Sequence, residues 1–222
     1  MGIVSILSAH QVSLLSHLGK QPAIQKNFYL SGGTALAEYY LHHRYSEDLD
    51  FFSENEFDPV SVSTILKKIQ KKVGFRKVVI EQSFNRNLFF LHFQDEVVKA
   101  EFTYYPFPQI EPSRKHNGVM VDSLLDISVN KLFTIYQRPR ARDFIDLFCI
   151  LKHEPKWSVD FLIKKAKIKF DWHVDPIQLG AQFYKVKEAK DEPRMIVRIP
   201  RKEWEMFFQN ESKRLQQQFL EG

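Results

Sequence analysis

A single cysteine, Cys149, stands in 222 residues. It excludes an internal disulfide, and its place in the run Leu147-Phe148-Cys149-Ile150-Leu151 predicts a core position. No stretch reaches about 18 uninterrupted apolar residues, which argues against a spanning helix and against a membrane partner. The N-terminus has no basic segment ahead of an apolar run, so no secretion signal is read and a cytoplasmic protein is expected. The eight histidines show no metal-ligand spacing: His42 and His43 are adjacent and His92 falls within an expected strand. No Ser-His-Asp or Cys-His arrangement is suggested. No GKS or GKT follows the glycine turn, so that turn is not a P-loop. Repeats are missing too, and Gln216-Gln217-Gln218 is the one low-complexity run.

What is present is ordinary in bulk and uneven in distribution. Hydrophobic residues make up 44% and charged ones 27%, as in a globular protein. Twenty phenylalanines predict an aromatic core. Residues 1–60 carry three Lys/Arg against seven Asp/Glu, while the remainder carries 29 against 20. An acidic motif beside a basic remainder suits an enzyme that holds a metal in one place and a polyanion in another. Lysine runs such as Lys67-Lys68 and Lys71-Lys72 are equally the solvated side of a helix.

The densest information lies in Phe28–Phe52, FYLSGGTALAEYYLHHRYSEDLDFF. Phe28, Tyr29 and Leu30 are β-prone and precede Ser31-Gly32-Gly33-Thr34, a strand followed by a breaker. Ala35, Leu36, Tyr39, Tyr40 and Leu41 recur at helical spacing, with Ser31 or Thr34 as the expected cap. Glycines there let a ligand approach the backbone, and a helix start presents free N–H groups to an anion. In the next strand Leu49 and Phe51 face one side, Asp48 and Asp50 the other. Two carboxylates so spaced, with phosphate oxygens, make a magnesium site. Metal-dependent chemistry on a nucleoside triphosphate is the reading.

These residues resemble a known family. GGTALAEYYLHHRYSEDLDFF is similar to the signature of the AbiEii/AbiGii-type nucleotidyltransferases, in the superfamily that shares a fold with DNA polymerase beta. The superfamily pattern falls on Gly32, Gly33, Asp48 and Asp50. His43, Arg44, Ser46 and Asp48–Phe52 carry the flavour of the branch, as does a later RD-x-x-D at Arg142, Asp143 and Asp146. The resemblance covers residues 28–147 at least.

It implies an α+β fold, a mixed sheet flanked by helices and followed by a mostly helical C-terminal lobe. Strands are expected at Phe75–Glu81, Leu88–Phe93 and Val97–Tyr104. The proline-rich stretch Pro106–Gly118 reads as the loop between lobes, giving residues 1–112 (with a short N-terminal helix) and 113–222. Helices are expected at Val60–Val73, Asp122–Gln137, Arg140–Lys152, Val159–Lys169, Pro176–Ala189 and Arg201–Phe219, and a short β-prone stretch at Met195–Ile199.

The resemblance also assigns roles. Asp48 and Asp50 hold one or two magnesium ions, and Glu101 stands where the superfamily has a third metal-binding carboxylate. Gly32, Gly33 and Thr34 cradle the triphosphate. Many relatives have Ser where Gly33 stands, and here Ser31 or Thr34 would replace its hydroxyl. Lys131 looks like the family's helix lysine on the triphosphate, a point charge that offsets charge building on the leaving pyrophosphate. Thr134 and Arg138 share its helix face. Asp143 and Asp146 look like the family's Asp-x-x-Asp, orienting Lys131 and nearby arginines at the nucleotide. A structural salt-bridge corner between helices is the other reading. The implied activity is transfer of a nucleoside monophosphate to an acceptor hydroxyl. An RNA (tRNA) 3′ end is the expected acceptor, in a toxin with an antitoxin partner. A protein or small-molecule acceptor, or a non-catalytic member of the fold, stays open. Lys164, Lys165, Lys167 and Lys169 are expected either to touch polynucleotide or to form a solvated face.

Overall fold

A computed structural model of the chain describes residues 5–221. By internal contacts they form two units: one comprises the described residues up to Tyr40 with Ser46–Ser123, the other Leu41–Tyr45 with residues from Leu124 onward.

The first unit is built on a seven-stranded mixed sheet. Its strands are β1 Tyr29–Ser31, β2 Leu49–Ser53, β3 Lys77–Ser83, β4 Arg86–His92, β5 Val97–Tyr104, β6 Arg114–His116 and β7 Val119–Val121. Their order across the sheet is β3-β4-β5-β2-β1-β7-β6. β2 runs antiparallel to β1 and parallel to β5, with Asp50 beside Glu101. One face of β2 and β5 is apolar: Phe51 and Phe102 are fully buried and stack at 4.8 Å between ring centroids. Phe28 and Phe89 meet Phe102 edge-on. The aromatic core expected from composition is here. The alternation of a strand then turns Asp50, Lys99, Glu101 and Thr103 to the opposite face.

Helices α1 Ala9–Leu18, α2 Pro22–Asn27, α3 Gly32–Leu36 and α4 Pro59–Val73 complete this unit. α3 continues as a π-helical turn, Ala37–Leu41. α4 shows why sequence dictates such elements. Asp58 caps it, accepting from Val60 N at 2.9 Å, Pro59 opens it, and Gly74 closes it at φ 96°. Val62, Leu66, Ile69 and Val73 form its buried stripe while its lysines stay outside.

The proline-rich segment departs from the expected loop. Arg114–His116 and Val119–Val121 are a hairpin, turned at Asn117 (φ 49°) and Gly118 (φ 90°), and Val121 pairs in parallel with Leu30. Residues 113–123 thus belong with the sheet, past the expected boundary at 112/113.

The second unit is helical: α5 Leu124–Gln137, α6 Ala141–His153, α7 Val159–Phe170, α8 Pro176–Tyr184 with a 3₁₀ turn Lys185–Glu188, and α9 Arg201–Glu221. Phe144, Phe183, Trp204 and Phe208 form its centre, Phe208 lying 4.9 and 5.0 Å from Phe144 and Phe183. Met195–Ile199 is not a strand; Met195 bridges Arg44, and the Ile196 and Val197 N–H groups donate to His43 O. Cys149 is half-buried rather than fully enclosed, and burial pushes its thiol up to about 12. Lys169 is no surface lysine: its Nζ donates to Asp126 at 2.6 Å with both side chains fully enclosed.

Candidate active site

The glycine turn and the acid pair meet at one point of the first unit. Gly32 adopts φ +71°, and a Cβ there would stand 2.5 Å from Asp50 Oδ2. Any side chain would be strained by the backbone and blocked by the carboxylate, so glycine lets the turn lie directly on Asp50. Gly33 follows, half-buried, in the first turn of α3.

Neither neighbouring hydroxyl serves as expected. Ser31 sits at the N-cap position without a side-chain cap bond, and its Oγ donates to Asp122 Oδ2 at 2.7 Å. Thr34 Oγ1 donates to Asp48 O and lies 2.9 Å from Ser46 Oγ. Both side chains are fully buried. These bonds brace β1 and the approach to β2, so a phosphate would meet backbone N–H groups rather than either hydroxyl.

Asp50 and Glu101 share the polar sheet face, and Asp48, just ahead of β2, meets it through Lys99; each has a different environment. Asp48 is 40% exposed and accepts from Lys99 Nζ at 3.0 Å. Asp50 is half-buried beside Gly32. Glu101 is buried, and Arg86 grips it with two bonds of 2.6 Å, Nε to Oε1 and Nη2 to Oε2. Thr103 Oγ1 adds a third bond at 2.9 Å. Burial would raise the Glu101 carboxyl, but the Arg86 contacts outweigh it and hold it below its ordinary value. Among the described residues no group of three or more His, Cys, Asp and Glu side chains is arranged to hold a metal. Both oxygens of Glu101, the expected third carboxylate, are engaged by Arg86. Asp48 and Asp50 are oxygen donors two residues apart, chemically suited to a hard cation, and Asp48 is 40% exposed and held by one lysine contact.

The second unit gathers the other expected residues. Lys131, on α5, is 8% exposed; its Nζ lies 2.7 Å from Asp143 Oδ1 and 2.7 Å from Asp146 Oδ2. Asp146, fully buried on α6, also receives Arg44 Nε at 2.6 Å and Nη2 at 2.8 Å, with His43 Nε2 2.8 Å from Oδ1. Burial alone would push the Asp146 carboxyl up. The Lys131 and Arg44 charges, with bonds from Arg44 and His43, hold it well below the usual range. For Lys131, burial favours the neutral form, yet the two aspartates keep it above its ordinary value. Two of its three N–H donors are thus committed. Arg138 is exposed just beyond α5, Arg142 is exposed on α6, and neither reaches Asp143 or Asp146. The salt-bridged corner exists, but Lys131, Arg44 and His43 supply its cations.

A sequence profile described as the nucleotidyl transferase AbiEii toxin of a type IV toxin–antitoxin system matches residues 13–219. The chain belongs to the AbiEii nucleotidyltransferase toxin family. Membership makes it a nucleotidyltransferase, with a nucleotide as substrate and a toxin–antitoxin setting. An uncharacterised protein of Aquifex aeolicus, aq_aa25, is 34% identical over 151 residues, 66% of this chain and 68% of that one. Two Helicobacter pylori crystal structures share the fold. JHP933 is 22% identical with a TM-score of 0.60, the alignment covering 96% of this chain and 93% of that one. A second, described as a proposed nucleotidyltransferase, is 19% identical with a TM-score of 0.61, covering 97% and 98%. No helix among the described residues of this AbiEii chain is long and apolar enough to cross a membrane.

Sequence reasoning passed over Arg86 and Arg44 as members of these clusters. Arg86 fell outside the expected strand at Leu88–Phe93. Lys99 was readable, since it precedes Glu101 by two residues on one strand and so shares its face.

Proposed function

We propose that this AbiEii enzyme transfers a nucleoside monophosphate from a magnesium-bound nucleoside triphosphate to the 3′-hydroxyl of an RNA, tRNA being the favoured acceptor. One observation carries the reading. Gly32 lies so tightly on Asp50 that a Cβ would stand 2.5 Å from its oxygen, which joins the phosphate-cradling turn to the acid pair.

Asp48 and Asp50 are the residues that would hold magnesium. A magnesium ion held there would supply a lower pKa for the attacking hydroxyl and charge to offset the leaving pyrophosphate. The backbone of Gly32 and Gly33 faces the triphosphate without side chains in the way. The acceptor oxygen forms its bond to the α-phosphorus as the bond to the β-phosphate bridging oxygen breaks. The hydroxyl proton passes to solvent and pyrophosphate leaves. Glu101, gripped by Arg86, keeps the polar sheet face in position beside Asp50 and is not assigned to the metal. In the second unit Asp143 and Asp146 hold the Lys131 ammonium in place. The second unit carries 20 Lys/Arg against 14 Asp/Glu, a balance suited to a polyanionic acceptor.

The test uses purified protein, magnesium, total RNA and each of the four α-labelled triphosphates, beside an Asp48→Asn/Asp50→Asn double variant. Label on RNA with the wild type alone is expected. Label on protein would keep the chemistry and replace the acceptor. No label together with no binding of magnesium triphosphate would overturn the reading.

A further inference from the structure

The acid face of the first unit carries two cations of its own, and they are bound very differently. Arg86 uses its planar fork on both oxygens of one buried carboxylate, each bond 2.6 Å. That is a fixed pair, since geometry as well as charge would be lost on leaving. Lys99 makes one contact, 3.0 Å to Asp48 Oδ2, and stands 3.9 Å from Glu101 Oε2. Its side chain is 24% exposed and that of Asp48 40%. An ammonium on a flexible stem, held by one exposed carboxylate oxygen, exchanges partners at little cost.

Charge then decides what happens when a divalent cation arrives. Asp48 cannot keep Lys99 and also bind the ion without placing two cations side by side. The displaced ammonium would lie next to the triphosphate that comes with the ion, where its charge is of the opposite sign. We propose that Lys99 is a further catalytic residue: the resident counter-ion of Asp48, it yields that carboxylate to the divalent cation and turns its ammonium to the phosphates of the nucleoside triphosphate. Arg86 remains on Glu101 as a positioning pair. The inference rests on the nucleotidyl-transfer reading above. It supplies a triphosphate-facing cation from the same sheet face as the acids.

The experiment measures binding of manganese alone to the full chain by the electron paramagnetic resonance of free Mn²⁺, without nucleotide. Wild type, Lys99→Met, Lys99→Arg and Asp48→Asn are compared. Lys99→Met removes the competitor and is expected to bind Mn²⁺ about threefold to fivefold more tightly, the worth of an exposed ion pair. The same variant is expected to raise the KM for magnesium triphosphates by about tenfold, one charge-assisted contact. Lys99→Arg, whose fork can hold both Asp48 oxygens, should weaken Mn²⁺ binding instead. Should Lys99→Met fail to fold, this opposite shift in Lys99→Arg carries the test. Unchanged Mn²⁺ binding in the folded variants, or an unchanged KM in Lys99→Met, would overturn the role of Lys99. Equal Mn²⁺ binding by wild type and Asp48→Asn would instead overturn the underlying metal site, so the two failures are distinguishable.

Discussion

Two clusters of charge, one in each unit, use the same side-chain chemistry to opposite ends. In the second unit Asp146 is fully buried and receives Lys131, Arg44 and His43, and Asp143 takes the same lysine. Every oxygen of Asp146 is answered, as a charge removed from water requires. On the sheet face of the first unit Asp48 is 40% exposed and holds one lysine by one contact. The buried cluster is complete without a ligand. The exposed one is balanced provisionally, by a cation that can leave. Burial thus separates a cluster in which every oxygen of Asp146 is answered from one in which Asp48 keeps a single lysine contact.

The largest effect should come from the exposed cluster, on activity alone. Asp48→Asn removes a carboxylate proposed to hold metal and should lower nucleotidyl transfer by about a thousandfold or more, on the scale of a lost transition-state electrostatic contact. Its urea midpoint should barely move, since exposed pairs contribute roughly 0–1 kcal/mol. Transfer that survives in Asp48→Asn would erase the distinction between the two clusters.

Asp146→Asn should do the reverse. It leaves Arg44 and Lys131 buried with one carboxylate between them and their hydrogen bonds reduced. Breaking a buried pair in this way costs about 3–5 kcal/mol. Urea unfolding followed by helix content would register it. A loss below about 1 kcal/mol would mean that water reaches this network and that its burial decides nothing.

Gly32→Ala sharpens the comparison from the ligand side. Alanine at φ +71° with a neighbour at 2.5 Å must displace either the turn or Asp50. Backbone strain of this kind costs about 1–3 kcal/mol. Activity should fall further than stability accounts for, because the displaced group is part of the site. Full transfer by a folded Gly32→Ala protein would detach the glycine turn from the chemistry.

The contrast was only half legible in the sequence. Strand, glycine turn, helix and Asp-x-Asp strand are local, so periodicity and breakers sufficed for β1, α3 and β2. Val97–Tyr104 was legible for the same reason. Pairing between distant strands was not, so nothing placed Arg86 opposite Thr103 or told that it would take both oxygens of Glu101. The hairpin of β6 and β7 hid behind three prolines, although Asn117-Gly118 is the strongest short turn signal available. His43 and Arg44 stand only a few residues from Asp48, yet they answer Asp146, 102 and more positions away. Adjacency in a motif suggested one site where burial makes two clusters. Lys169 among the surface-patterned lysines of α7 was misread likewise, because its partner Asp126 lies on another helix.

Acid provides the smallest and most discriminating test. The folded-state pKa of Asp146 lies well below its unfolded value. Its contribution is therefore complete above the unfolded carboxylate value, about 4, and is lost as pH falls from there towards the folded value. The stability gap between wild type and Asp146→Asn should be constant from neutrality to about pH 5 and should narrow below about pH 4. Glu101 is shifted in the same direction, so Glu101→Gln should narrow over the same window. The narrowing there should be smaller, because Arg86 is half exposed and water screens the pair. Urea midpoints of the three proteins at a series of acid pH values measure both gaps. Equal narrowing would mean that the buried and the exposed cluster feel the same solvent, and the difference in burial would then not separate their roles.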